Sequence, residues 1–425
     1  MNHIGILVGG GPAPGINCAI SSATIEARNC GLEVIGIYDG FEHLMAGDTE
    51  QTVVLNIADV SRLHTQGGSV LRTSRANPTS NPELIRNAVD ALNSLGISRL
   101  VTIGGEDTAT SAAAIAYASH GAVLVAHIPK TIDNDLPLPA GMPTFGYETA
   151  RQVGTDQVLN LAEEARTSNR WMVVVVMGRN AGHLALGIGK AAGATLTLVP
   201  EEFGDQPIRF NDIAAIFEGA VFKRRLQGRE YGLAVIAEGV VGRLDEAELR
   251  LRVGDNLAHD PHGHLRLEEI PLGIVLRQFL QERFQARGYN LKLTDVTLGY
   301  TLRCAPPVPF DIDYTRTLGY GAVHFLLSDP AGTDLQAGGL VAQVAGRIQV
   351  LPFNELLEPE TGRMRVRRID LTADHYRVAR RYMIRLEQED FEDPDLVRQL
   401  AEIAGDTPQA FAAEYGSVIR RFPQP

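Results

Sequence analysis

The residues of this chain best equipped for chemistry stand just after short apolar runs. Pro129-Lys130-Thr131-Ile132-Asp133-Asn134-Asp135 brings together an ammonium, a hydroxyl and two carboxylates, a combination that a solvated turn does not need. Gly104-Gly105-Glu106-Asp107-Thr108 sets two carboxylates behind a glycine pair. They would hold a magnesium ion on phosphates, or merely cap the next helix. Gly9-Gly10-Gly11-Pro12-Ala13-Pro14-Gly15-Ile16-Asn17 offers backbone without side chains and then a helix start. That suits close approach to phosphate oxygens and equally suits a tight strand-to-helix turn. Three further runs are followed by Met177-Gly178-Arg179, by Glu238-Gly239 and by Gly299-Tyr300-Thr301-Leu302-Arg303, and Arg170 precedes the first of them. Arginine forks near strand ends suit a sugar phosphate. Cations to offset spreading negative charge, carboxylates to hold a metal and a carboxylate to accept a proton from an attacking hydroxyl are what phosphoryl transfer requires.

The elements that must position these groups are legible in the same pattern. Ile4 to Val8, Val34 to Tyr38, Leu100 to Ile103, Val123 to Ile128 and Trp171 to Met177 are continuously apolar, as strands covered on both faces must be. Helix-compatible stretches, Asn17 to Asn29, Pro82 to Leu95 and Thr108 to Ser119, lie between them. Leu233 to Ala237 and Val296 to Leu302 extend the set, with a helix over Ile270 to Arg287. Strand and helix alternate, which predicts an α/β doubly wound, mostly parallel design. In such sheets ligands bind beyond the carboxyl ends of the strands, where every motif above falls.

A chain of 425 residues exceeds one compact core, so two lobes are expected. The expected division is 1–140, 141–330 with an exposed insertion near 241–264, and a segment 331–425 that completes the lobes and is helical toward its end. His259, His262, His264 and Asp260 in that insertion are expected to be solvated rather than metal-bound. A net charge of −12 disfavours nucleic acid and anionic membrane surfaces as partners. No run approaches the roughly 20 apolar residues of a membrane span. Met1-Asn2-His3 leads directly into an apolar run without a basic region, so the cytoplasm is the expected compartment. Cys18, Cys30 and Cys304 are too scattered for a disulfide framework or a zinc site.

Through Gly-Gly-Gly-Pro-Ala-Pro-Gly-Ile-Asn at 9 to 17, Gly-Gly-Glu-Asp-Thr at 104 to 108, Pro-Lys-Thr-Ile-Asp-Asn-Asp at 129 to 135 and Met-Gly-Arg at 177 to 179, the sequence resembles the phosphofructokinase family from residue 4 to about 330. The resemblance implies two doubly wound lobes with the active site between them. It implies transfer of a phosphoryl group to the 1-hydroxyl of fructose 6-phosphate, with Asp133 as the base and Thr131 and Asp135 beside it. Arg179 and Lys130 would join Asp133 in catalysis, and Glu106 would hold Mg2+. Gly11 and Arg75 would face the donor phosphates. Met177, Gly178, Arg179, Glu238 and Arg303 would hold the sugar phosphate. Arg170 matches an arginine that reaches the sugar phosphate of a neighbouring subunit, which implies a homodimer or larger homo-oligomer.

The same resemblance bears on the donor. ATP-using members tend to carry glycine where this chain has Asp107 and Lys130, and an aspartate and a lysine there are similar to pyrophosphate users. A carboxylate about 4 Å from a nucleotide's α-phosphate repels it by roughly 1 kcal/mol in water and about 4 at intermediate dielectric. That disfavours ATP by roughly fivefold to a thousandfold. The chain departs from the family pattern at Pro12, Thr294, Tyr300 and Cys304-Ala305. An ATP-dependent enzyme and a non-catalytic regulatory subunit that binds phosphate are the alternatives. A dinucleotide oxidoreductase lacks its Gly-x-Gly-x-x-Gly fingerprint here.

Overall fold

The computed structural model describes residues 3–139, 141–204, 207–254, 267 and 270–422. In chain order its strands are β1 (His3–Val8), β2 (Glu33–Ile37), β3 (Thr52–Leu55), β4 (Ile97–Gly104), β5 (Leu124–Pro129), β6 (Trp171–Val176), β7 (Leu196–Leu198), β8 (Gly232–Ala237), β9 (Leu293–Leu298), β10 (Gly338–Val344) and β11 (Arg347–Pro352). They form two sheets, ordered β11-β10-β5-β4-β1-β2-β3 and β7-β8-β6-β9. The chain divides into two compact units, Met1–Ala150 with Tyr300–Arg367, and Arg151–Gly299 with Arg368–Pro425.

In the first unit β2, β1, β4, β5 and β10 run parallel, and β3 and β11 are antiparallel edges. Side chains alternate across a strand, so each covered face needs its own apolar set. Ile4, Ile6 and Val8 of β1 pack with Ile16, Ala19 and Ile20 of the helix Ile16–Asn29 and with Leu318, Ala322 and Val323 of the helix Pro309–Leu327. Leu7 faces the other way, into a cluster with Leu92 of the helix Pro82–Ser94 and Ala109, Ala112 and Ala113 of the helix Glu106–Ala118. Helices thus cover both faces.

In the second unit all four strands are parallel, and β6 and β8 are buried at every position. The helix Phe210–Leu226 lies against them, with Phe217 packed edge-on to Trp171 at 5.1 Å between ring centroids. Its Glu218 is wholly buried and is neutralised by Arg283 through two hydrogen bonds of 2.7 and 2.8 Å, while Tyr415 of the helix Pro408–Arg421 donates to it at 2.8 Å. A buried carboxylate is tolerable only when paired in this way.

Several expectations need correction. Residues 300–330 do not belong with the second lobe, because the apolar stripe of Pro309–Leu327 completes the core around β1. The strand expected over 296 to 302 stops at Leu298, and Tyr300–Arg303 is a helical turn. The insertion near 241–264 is not wholly exposed: Val241, Leu244 and Leu249 are buried. Residues 255–266, with the three histidines and Asp260, lie outside the described residues. The end of the 331–425 segment is helical as expected, in separate helices Asp374–Tyr382, Pro394–Ala404 and Pro408–Arg421, with Pro394 setting the start of the second. Among the described residues no helix is long and apolar enough to cross a membrane.

Candidate active site

In the first sheet the chain leaves β1 toward β2 and leaves β4 toward β5, so the neighbours β1 and β4 form the switch point of the strand order. In open parallel sheets ligands bind beyond the carboxyl ends of the strands at such a switch point. There Gly9 N–H donates to Ile103 O at 2.9 Å and Gly10 N–H donates to Ser74 O at 2.8 Å, which fixes the first glycine loop against β4 and the 67–75 segment. Thr108 fills the floor between the two loops. A Cβ at Gly9 would come within 2.5 Å of its hydroxyl, and one at Gly104 within 2.2 Å of its own Cβ, so no side chain fits at either position. The helix Glu106–Ala118 starts here on Gly105, with no side-chain cap. Glu106 is half-buried and Asp107 exposed in its first turn, where the helix dipole favours negative charge.

Beyond β5, Lys130 N–H donates to Gly104 O at 2.8 Å, and its buried Nζ donates to Gly11 O. Burial first, then Arg303 and Arg75 against the pull of Asp133 and Asp135, lowers the ammonium to about 7. The structure therefore brings Lys130, Arg303, Arg75, Asp133 and Asp135 into one electrostatic neighbourhood with Gly11. The Arg303 guanidinium carbon stands 3.3 Å from where a Gly11 Cβ would be, and lies 5.1 Å over the Tyr300 ring. Thr131 Oγ1 accepts from Asp133 N–H at 3.0 Å, so the hydroxyl shapes the turn that presents Asp133. Asp135 is buried, and burial followed by the charge of Asp133 pushes its carboxyl up to about 7. Its Oδ1 has no hydrogen-bond partner among the described residues.

These groups fit a hard cation. Mg2+ takes one or two carboxylates and completes its shell with water and phosphate oxygens. Glu106 and the unpartnered Asp135 oxygen are donors of that kind, and among the described residues no group of three or more His, Cys, Asp or Glu converges as a dedicated protein cage.

His127 escapes sequence reading because it sits inside an apolar run. Fully buried on β5, it has Nε2 3.0 Å from Gly104 O and Nδ1 2.9 Å from Thr102 Oγ1. A carbonyl only accepts, so Nε2 carries the proton and Nδ1 accepts from the Thr102 hydroxyl. Gly104 O thus receives both His127 and Lys130, tying β5 to the turn that carries Glu106 and Asp107. Burial, with Lys130 adding to it, lowers the imidazole to about 3. The unfolded chain takes up this proton near pH 6.5 and the folded chain does not, so stability falls as pH drops from about 6.5 toward 3. His127→Gln keeps a donor for Gly104 O, and its melting temperature should fall less steeply between pH 7 and 4 than that of the unaltered protein. Parallel thermal melts across that range check this, and parallel slopes would remove His127 as a source.

In the second unit, Met177 is buried immediately after β6, with its N–H on Leu298 O at 3.1 Å. Gly178, at φ 141°, donates to Glu238 Oε1 at 3.3 Å, and Gly239 N–H donates to Gly178 O at 3.0 Å. A Cβ at Gly239 would meet Arg179 O at 2.6 Å. Met177, Gly178, Arg179 and Glu238 therefore share the carboxyl ends of β6 and β8. Glu201, missed from sequence, anchors the same loop: its carboxylate accepts from Gly182 N–H at 3.0 and 3.2 Å and from Ile369 N–H at 3.1 Å. Arg170 is not part of this group. It stands at the amino end of β6, donating to Thr294 Oγ1 at 3.3 Å.

Comparison with known proteins gives a consistent picture. A model of the family described as Phosphofructokinase matches residues 3–326. The chain is 55% identical to a pyrophosphate--fructose 6-phosphate 1-phosphotransferase of Thermotoga maritima, over 97% of this chain and 98% of the relative. It is 40% identical to an ATP-dependent 6-phosphofructokinase of Chloroflexus aggregans, over 76% of this chain and 83% of the relative. The solved phosphofructokinase of Saccharomyces cerevisiae shares the fold with a TM-score of 0.65 at 20% identity; the match covers 99% of this chain, which spans about half (50%) of the yeast chain.

Proposed function

The chain belongs to the phosphofructokinase family, and we propose that it transfers a phosphoryl group from pyrophosphate to the 1-hydroxyl of fructose 6-phosphate, giving fructose 1,6-bisphosphate. The hydroxyl oxygen attacks the terminal phosphorus in line while Asp133 accepts its proton. The bond from that phosphorus to the bridging oxygen breaks, and inorganic phosphate leaves with the electron pair. Lys130, Arg75 and Arg303 offset the charge spreading over the transferred group, and Gly11 leaves room for the donor phosphates. Thr131 and Asp135 shape and support the loop of the base. Glu106, with the Asp135 oxygen, would hold Mg2+, which would neutralise charge on the donor phosphates. Met177, Gly178, Arg179 and Glu238 hold the sugar phosphate, so that catalysis is largely positioning.

The observation that carries the donor reading is Lys130. A buried amine bonded to Gly11 O occupies space at the loop with its charge close to Arg303 and Arg75, which suits a compact polyanion. The likeness to an ATP-dependent relative keeps ATP as the second reading. The reaction is assigned to the cytoplasm and to a homo-oligomer in which Arg170 reaches the sugar phosphate of a neighbouring copy. Incubation with fructose 6-phosphate, pyrophosphate and Mg2+ should yield fructose 1,6-bisphosphate and inorganic phosphate by 31P NMR, and chelation of Mg2+ should stop it. Persistence of both substrates would refute the assignment.

A further inference from the structure

We infer that Arg367, beyond the stretch matched by the family model, is a positioning residue that fixes the loop carrying Asp133 and Asp135. The inference rests on the reading of Asp133 as the base.

Asn134, between the two carboxylates, has φ 58°, a left-handed conformation that asparagine tolerates better than most residues but that still needs external support. Arg367 supplies it. Its Nε and Nη2 donate to Asn134 O at 3.1 and 3.0 Å, Nη2 also donates to Asn134 Oδ1, and Nη1 donates to Met142 O at 2.7 Å. The Arg367 backbone N–H donates to Asp135 O at 2.7 Å. One residue therefore holds two successive carbonyls of the loop. Thr144 closes the other side, with its N–H on Asn134 Oδ1 at 3.0 Å and its hydroxyl on Thr131 O at 2.7 Å.

The charge matters as well as the geometry. Arg367 places a guanidinium on the backbone of a loop that carries two carboxylates, Asp133 and the buried Asp135. A guanidinium fork donates in several directions from one rigid plane, whereas a lysine offers a single mobile centre. The bonds from Arg367 to Asn134 O, Met142 O and Asp135 O let it act through the backbone of the loop. A displacement of about 1 Å in a catalytic group costs on the order of a hundredfold in rate.

The test uses the full chain with Arg367→Met, Arg367→Lys and Asp133→Asn, assayed with fructose 6-phosphate, pyrophosphate and Mg2+. Arg367→Met should lower kcat by about a hundredfold with KM for both substrates within about threefold, and with far-UV circular dichroism unchanged. Arg367→Lys, which keeps one donor and the charge, should recover about a tenth of the activity. The inference is overturned if Arg367→Met keeps kcat within threefold, or if its apparent kcat falls only in proportion to lost folded protein. Should the methionine variant not fold, a lysine variant with unaltered kcat overturns it equally. Asp133→Asn separates the two levels: full activity there removes the base reading and this inference with it, while an inactive Asp133→Asn beside an active Arg367→Met removes the inference alone.

Discussion

Replacing Asp133 by asparagine is expected to lower kcat by about a thousandfold while leaving KM for both substrates within a few-fold, because positioned proton transfer contributes roughly 10² to 10⁴. Asparagine keeps the size of the side chain. The bond that shapes the turn runs from the backbone N–H of residue 133 to Thr131 Oγ1, so the substitution leaves it in place. What is lost is the acceptor for the proton of the attacking hydroxyl. The substitution also removes a negative charge from two buried neighbours, and both consequences have a definite sign. Asp135, now raised by burial and by Asp133, should titrate lower. Lys130, which Asp133 helps to keep protonated, should titrate lower too. The plateau of kcat, read at the best pH of each protein, isolates the chemical step from these shifts. A variant within tenfold of the unaltered enzyme would strip Asp133 of its role.

The double replacement Asp107→Gly with Lys130→Gly is expected to move donor preference from pyrophosphate toward ATP by roughly three orders of magnitude in the ratio of kcat/KM. Two terms contribute. Removing a carboxylate from the first turn of the helix Glu106–Ala118 relieves a repulsion of about 1 to 4 kcal/mol on a nucleotide's α-phosphate, worth roughly fivefold to a thousandfold. Removing Lys130 vacates the space its buried side chain fills and takes away the ammonium bonded to Gly11 O, which a small donor depends on more than a large one. Pyrophosphate use should fall while ATP use rises. Kinetics with each donor, for both single variants and the double, check the result. If ATP use does not improve in any of the three, these residues do not discriminate between donors.

Lys130 also dictates a pH signature. An ammonium lowered to about 7 by burial is half neutral there in the free enzyme, so a requirement for its charge gives kcat/KM for pyrophosphate a falling basic limb near neutrality.

Much of the unit that holds these groups is readable from residue order, because each motif sits within a few positions of a strand end and the sheet itself decides where strand ends gather. The runs ending at Val8, Ile103 and Ile128 are continuously apolar, and β1, β4 and β5 are indeed neighbours in the first sheet. The parts that escape are those whose partner lies far along the chain. Nothing local to the helix Pro309–Leu327 says that its apolar stripe covers β1 rather than the second sheet. The strands β3 and β7 are only 4 and 3 residues long, and β11 is exposed along its first half, so none carries a clear apolar signal. His127 reads as one polar residue in a core strand until Gly104 O and Thr102 are seen against it. Arg367 reads as one of several arginines in a polar stretch, and only the folded loop around Asn134 reveals its target.

The most direct test of the account is fructose 1,6-bisphosphate formation by the unaltered protein from fructose 6-phosphate and Mg2+, with pyrophosphate and ATP compared in parallel. The account predicts product with pyrophosphate and little or none with ATP. Product with ATP alone would contradict the roles given to Asp107 and Lys130, and product with neither donor would contradict the proposed reaction itself.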